Sequence, residues 1–140
     1  MSGADDVRVE AAGAGTWRLK ANRKTGGRSA TGEAQAAGVT AAEALLHGKV
    51  AAARAWRQLG QQALDANDDS SALEAARNGL RDMGKDYCPR GVDDDTELKV
   101  LAADDLLRIG RTRDAASTLL RCLAVRVELY LERYASEHVE

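Results

Sequence analysis

From Trp56 to Met83 the chain reads W-R-Q-L-G-Q-Q-A-L-D-A-N-D-D-S-S-A-L-E-A-A-R-N-G-L-R-D-M. Trp56, Leu59, Ala63 and Ala66 fall three or four apart, which places them on one face of a helix. Leu73, Ala76, Leu80 and Met83 do the same in the second half. Between them Asn67-Asp68-Asp69-Ser70-Ser71 is a run of turn formers and helix caps. Ser71 and Glu74 have the capping-box spacing, in which each side chain satisfies a free N–H of a new helix. The stretch therefore predicts two helices folded against one another, the second over about 71–84 with Gly84 as its C-cap.

The order Trp56, Leu59, Gly60, then Ala72, Ala76 and Gly79, resembles a tetratricopeptide repeat, whose helix pair opens W-x2-L-G-x2-Y and continues with small residues at the crossing. Ala63 replaces the usual aromatic, Ala76 a larger apolar residue, and Gly84 the closing proline. A weaker copy follows, with Ala102, Ala103 and Leu106, then Gly110, then Ala115, Leu119 and Cys122; Lys99 stands in place of the tryptophan. The segment Asp86–Asp95 can hold the residues in excess of the family's period of about 34. The resemblance implies antiparallel helical hairpins that bind a protein or peptide partner.

Upstream, Thr40-Ala-Ala-Glu43 is a second capping box, and Leu45, Ala52, Trp56, Leu59 and Ala63 continue one stripe. One helix over about 41–66 is expected, although Gly48 offers a place to break it. Downstream, turns are expected near 67–70, 85–94 and 110–113. Asp95 or Thr96 caps a third helix to about Ile109, apolar nearly all round and hence central. Asp114 caps a fourth, about 115–137 and about 34 Å long. In it Ala116, Leu120, Leu123, Val127, Tyr130 and Tyr134 alternate steps of four and three, as a coiled-coil seam does.

Residues 1–39 read differently. They are rich in Gly and Ala and lack apolar periodicity. Val7–Glu10 and Thr16–Lys20 alternate briefly, as a short hairpin around Gly13 and Gly15 would, but an isolated hairpin is marginal in water. A flexible arm is expected, and between Trp17 and Ala30 all its charges are positive: Arg18, Lys20, Arg23, Lys24 and Arg28. The expected fold is thus all-α, a tetratricopeptide-like or four-helix arrangement over 40–140, preceded by a flexible basic arm over 1–39.

Composition agrees with a helical core. Of 140 residues 44% are hydrophobic, none is Phe and one is Pro; alanine, the best helix former, supplies much of the apolar share. A net charge of −2 creates no global field for nucleic acid or membrane. No stretch approaches the roughly 18 apolar residues of a membrane span, and the N-terminus lacks a signal-peptide pattern. A reduced cytoplasmic protein is expected, with Cys88 a loop thiol and Cys122 buried. Whether the two form a disulfide is not decided by spacing.

Signals for chemistry are weak. Gly79-Leu-Arg-Asp-Met-Gly84-Lys85 has the spacing of a phosphate loop, but Asp86 stands where Ser or Thr binds magnesium, and a helix occupies the place of the required strand. His47 and His138 have no catalytic partners in sequence, and His47 reads as a solvated or half-buried helix residue. Asp93-Asp94-Asp95 suits the positive end of a helix. The expectation is a non-enzymatic protein without cofactor or metal. Its partner is a protein or peptide, and self-association through Val127, Tyr130, Leu131 and Tyr134 on the projecting fourth helix gives a symmetric homodimer. The alternative is a nucleic-acid-associated protein that uses Arg18, Lys20, Arg23, Lys24 and Arg28.

Overall fold

The computed structural model describes residues 7–13, 15–84 and 92–138, with the side chains of 92–98 and 133–138 left aside. Its first third is a sheet. Strands β1 (Val7–Ala11), β2 (Thr16–Thr25) and β3 (Arg28–Ala37) pair antiparallel in the order β1-β2-β3. This overturns the all-α expectation and, for residues 7–37, the flexible arm. The helices follow: α1 (Ala41–Ala44), a 3-10 turn (Leu45–His47), α2 (Gly48–Asp65), α3 (Asp69–Met83), α4 (Val92–Arg108) and α5 (Thr112–His138). The expected four-helix, purely helical-hairpin arrangement falls with the same finding.

The sheet is built on period two. In β2, Leu19, Ala21, Arg23 and Thr25 are buried, while Arg18, Lys20, Asn22 and Lys24 lie on the other face. In β3 the buried set is Ala30, Gly32, Ala34 and Ala36, with exposed Ser29, Thr31, Glu33 and Gln35 between them. The two strands are joined at Gly26-Gly27, both with positive φ (57° and 76°), the conformation of a two-residue hairpin turn that matches strand twist. The stripe of small residues in β3 lets α2 lie directly on the sheet. A Cβ at Gly32 would collide with the backbone of Ala51 and Ala55, so the side chain is absent where helix and strand cross.

α2 is the centre of the molecule. Val50, Ala51, Ala52, Trp56 and Leu59 share one buried cluster with Leu19 and Ala21 of the sheet, Met83 of α3, and Leu123, Val127 and Tyr130 of α5. Each fully buried leucine there contributes about 2 kcal/mol. A second cluster joins Leu64, Leu73, Ala76, Ala103, Leu119 and Leu120. Glycines again mark close approach: a Cβ at Gly60 would press on Leu120, and one at Gly79 on Leu123 and Trp56. Trp56 Nε1 donates to Asp82 Oδ2 of α3 at 2.8 Å.

Several boundaries differ from expectation. Thr40 does cap α1, its Oγ1 accepting from Glu43 N at 3.2 Å, but the single helix over 41–66 is interrupted by the 3-10 turn. The first turn of α3 is capped by Asp68, whose Oδ1 accepts from Ser71 N at 3.3 Å; the Ser71–Glu74 box is inside the helix. Asn67, at φ 60°, makes the left-handed turn ahead of it, a conformation Asn tolerates better than most residues. The third helix is peripheral rather than central: Leu101 and Ile109 are 60% and 69% exposed. It starts at Val92, so Asp93-Asp94-Asp95 lies within α4 and not before it. Of the α5 seam, Ala116, Leu120, Leu123, Val127 and Tyr130 are buried inside the chain, and the side chain of Tyr134 lies outside those described. Arg113 ties helix ends together, donating to Leu64 O at 2.9 Å and to Asp69 Oδ1 at 3.2 Å.

Candidate functional site

The sequence-predicted residues do not assemble into one surface. Val127 and Tyr130 are buried, Tyr130 to 3% exposure. Its ring meets His47 edge-on at 5.5 Å between centroids, and its hydroxyl donates to Leu46 O at 3.4 Å. Leu131 is half-buried against the same cluster, and the side chain of Tyr134 lies outside those described. His47, expected to be solvated or half-buried, is buried, because the 3-10 turn rolls it inward beneath α5.

The five basic residues are divided by strand alternation. Arg23 is on the inner face, 8% exposed, with Nε 3.7 Å from Asp82 and Nη1 donating to Asn22 O. Arg28 Nη1 lies 2.7 Å from Asp68 Oδ2. That contact, with the hydrogen bond from Ser71, holds the Asp68 carboxyl below its ordinary value of 3.8. Arg18 and Lys20 face solvent but stand 3.9 Å from Glu33 and Glu10 respectively. Lys24 is exposed near the hairpin turn. The outer sheet face is thus a lattice of both signs rather than a basic patch.

The phosphate-loop spacing has no loop: Gly79 is buried within α3, Gly84 is its C-cap at φ 69°, and Lys85 lies outside the described residues. Cys122 is buried and Cys88 falls outside them too, as does the His138 side chain. Among the described residues no group of three or more His, Cys, Asp or Glu could hold a metal, and no helix is long and apolar enough to cross a membrane.

A different surface gathers polar groups. A cleft of about 850 Å³ opens between β3, α2 and α5. Its floor is the one polar face of α2, where Arg54, Arg57, Gln58 and Gln61 recur at helical spacing. One wall is Thr31 and Glu33 of β3; the other is Ser117, Leu120, Arg121 and Ala124 of α5, again at helical spacing. Arg54 Nη1 donates to the backbone carbonyl of Glu33 at 2.8 Å, pinning α2 to the strand. Arg57 and Arg121 are exposed and have no acidic partner among the described residues. The face Arg54, Arg57, Gln58, Gln61 was legible as the polar side of the Trp56 helix. Its neighbour across the cleft was not, because the strand was hidden.

The arrangement can bind through charge-assisted hydrogen bonds from arginine, amide and hydroxyl groups, and through the backbone of an edge strand. No protein-family model, curated protein or solved structure matches this chain.

Proposed function

We propose that this chain is a non-enzymatic interaction module of the cytoplasm that takes up a segment of a partner protein in the cleft between β3, α2 and α5. The observation that carries this is a strand edge that no described strand pairs, facing two arginines that have no acidic partner among the described residues, across a cleft of about 850 Å³. Such a site holds a ligand by hydrogen bonds and charge. The resemblance of Trp56, Leu59 and Gly60 to a tetratricopeptide helix pair supports the same class of function, with the sheet supplying a binding edge that helical repeats lack.

The test is selection of random displayed peptides on the folded chain, followed by amide NMR spectra of the complexes. Shifts at Thr31, Gln58, Gln61 and Ser117 are expected. A selection that returns no binder, or binders that leave those amides unmoved, sinks the proposal.

A further inference from the structure

We infer that the occupant of the cleft is an extended acidic segment that adds to β3 as a fourth strand, its alternate carboxylates held by Arg57 and Arg121. This rests on the cleft being a peptide site and specifies the peptide's chemistry.

The direction of the β3 backbone follows from one hydrogen bond and the register. Gly38 N donates to Gly15 O at 2.7 Å. In an antiparallel pair, hydrogen-bonded and non-hydrogen-bonded positions alternate. Counting back through the register, Ala36, Ala34, Gly32 and Ala30 turn their backbone groups toward Trp17, Leu19, Ala21 and Arg23. Thr31, Glu33 and Gln35 therefore present theirs to the open side. The Arg54 bond to the Glu33 carbonyl marks that direction independently. Thr31 and Gln35 make no backbone–backbone bond to another element among the described residues.

β3 is a ten-residue strand, long for an edge. Native edges of that length are usually blunted by a bulge, a proline or inward charge; β3 has none of these, and among the described residues Arg54 and Leu131 lie beside it. A strand laid on this edge alternates its side chains. Those level with Thr31 and Glu33 project to the outer face, and those between project toward the helix layer, where Arg57 and Arg121 stand. Carboxylates at these inner positions meet guanidinium groups, which form charge-assisted and bidentate hydrogen bonds with them. Arg54 would exchange the Glu33 carbonyl for a peptide carboxylate and release that carbonyl to the ladder.

Two other occupants fit less well. A second copy pairing β3 with β3 would be two-fold symmetric and would bring both sets of arginines together, a like-charge juxtaposition. For a nucleic-acid strand, none of the lining residues is aromatic, so its bases would lack a stacking platform.

The probe is a fluorescent peptide alternating Glu and Thr, long enough to span Ser29–Ala37. Saturable binding is expected, with new hydrogen-exchange protection at Thr31 and Gln35. Arg57→Glu with Arg121→Glu should weaken it at least about tenfold with circular dichroism unchanged. N-methylation of the peptide amides that face β3 should abolish binding to the unmodified protein, a readout independent of how the double variant folds. Equal binding of the N-methylated peptide overturns strand addition. Equal binding of the Lys–Thr counterpart, or stronger binding of an oligothymidylate, overturns the acidic specificity. If selected random peptides occupy the cleft while the Glu–Thr peptide does not, this inference fails and the peptide-site function stands; if neither occupies it, both fail.

Discussion

Asp68 shows how one side chain joins layers that the sequence keeps far apart. Its Oδ1 caps α3 through Ser71 N, and its Oδ2 meets Arg28 at the start of β3. Arg28 is the largest cause of the lowered carboxyl pKa, ahead of the bond from Ser71. A carboxylate whose pKa is depressed in the folded state adds stability above its unfolded value and loses it as pH falls through the folded value. Asn caps helices as well as Asp does, so Asp68→Asn removes the charge and keeps the cap. The variant should unfold at lower urea than the parent at pH 7. The gap should close as pH falls below about 4. A gap that is the same at pH 7 and at pH 3 would mean that Arg28 draws nothing from the carboxylate's charge. Trp56, by contrast, was legible as a core residue from its place on the apolar stripe. Asp82, which accepts from its indole and pairs with Arg23, was not, because that pairing spans the sheet and α3.

At the scale of elements, β3 is the segment the sequence concealed. Its inner residues are Ala30, Gly32, Ala34 and Ala36, so the period of two is present but almost without hydrophobic contrast. Alanine and glycine also have low strand propensity. The Gly26-Gly27 pair between two ten-residue runs was the available hairpin signal. What turns this pattern into a strand is α2, which can approach closely only because the stripe is small. Hydrogen exchange should reflect it: the amides of Leu19, Ala21 and Arg23 in the central strand should be among the protected ones. Deleting residues 1–38 should abolish cooperative thermal unfolding by stripping the sheet from α2. Exchange of those three amides at the rate of an unstructured peptide would restore the flexible arm.

At the scale of the whole molecule, α5 decides how the bundle closes. Its seam looked bare because the preceding helix, α4, is shorter and α2 was committed to α3. In the fold, α2 is surrounded: the sheet, α3 and α5 all pack on it, leaving the Arg54–Gln61 face open. Tyr130 is buried beside His47, so Tyr130→Glu should not produce a folded monomer from a dimer. It should cost about 3 kcal/mol or more, the price of desolvating a charge in an apolar site, read as a lowered denaturation midpoint. A changed sedimentation coefficient with an unchanged midpoint would place Tyr130 at an interface instead. The sequence by itself determined the elements whose signals are local: the apolar stripes of α2 and α3, the Thr40 cap, and the polar break at Asn67–Asp69. Local periodicity and capping arise from neighbours three or four residues away, and so they can be read in one dimension. Only the tertiary structure decided that a stripe of alanines is a strand, that His47 and Tyr130 face inward, and that an arginine-lined cleft exists. Each of these depends on surfaces from distant segments meeting, and small residues carry too little hydrophobic contrast to announce that meeting in advance.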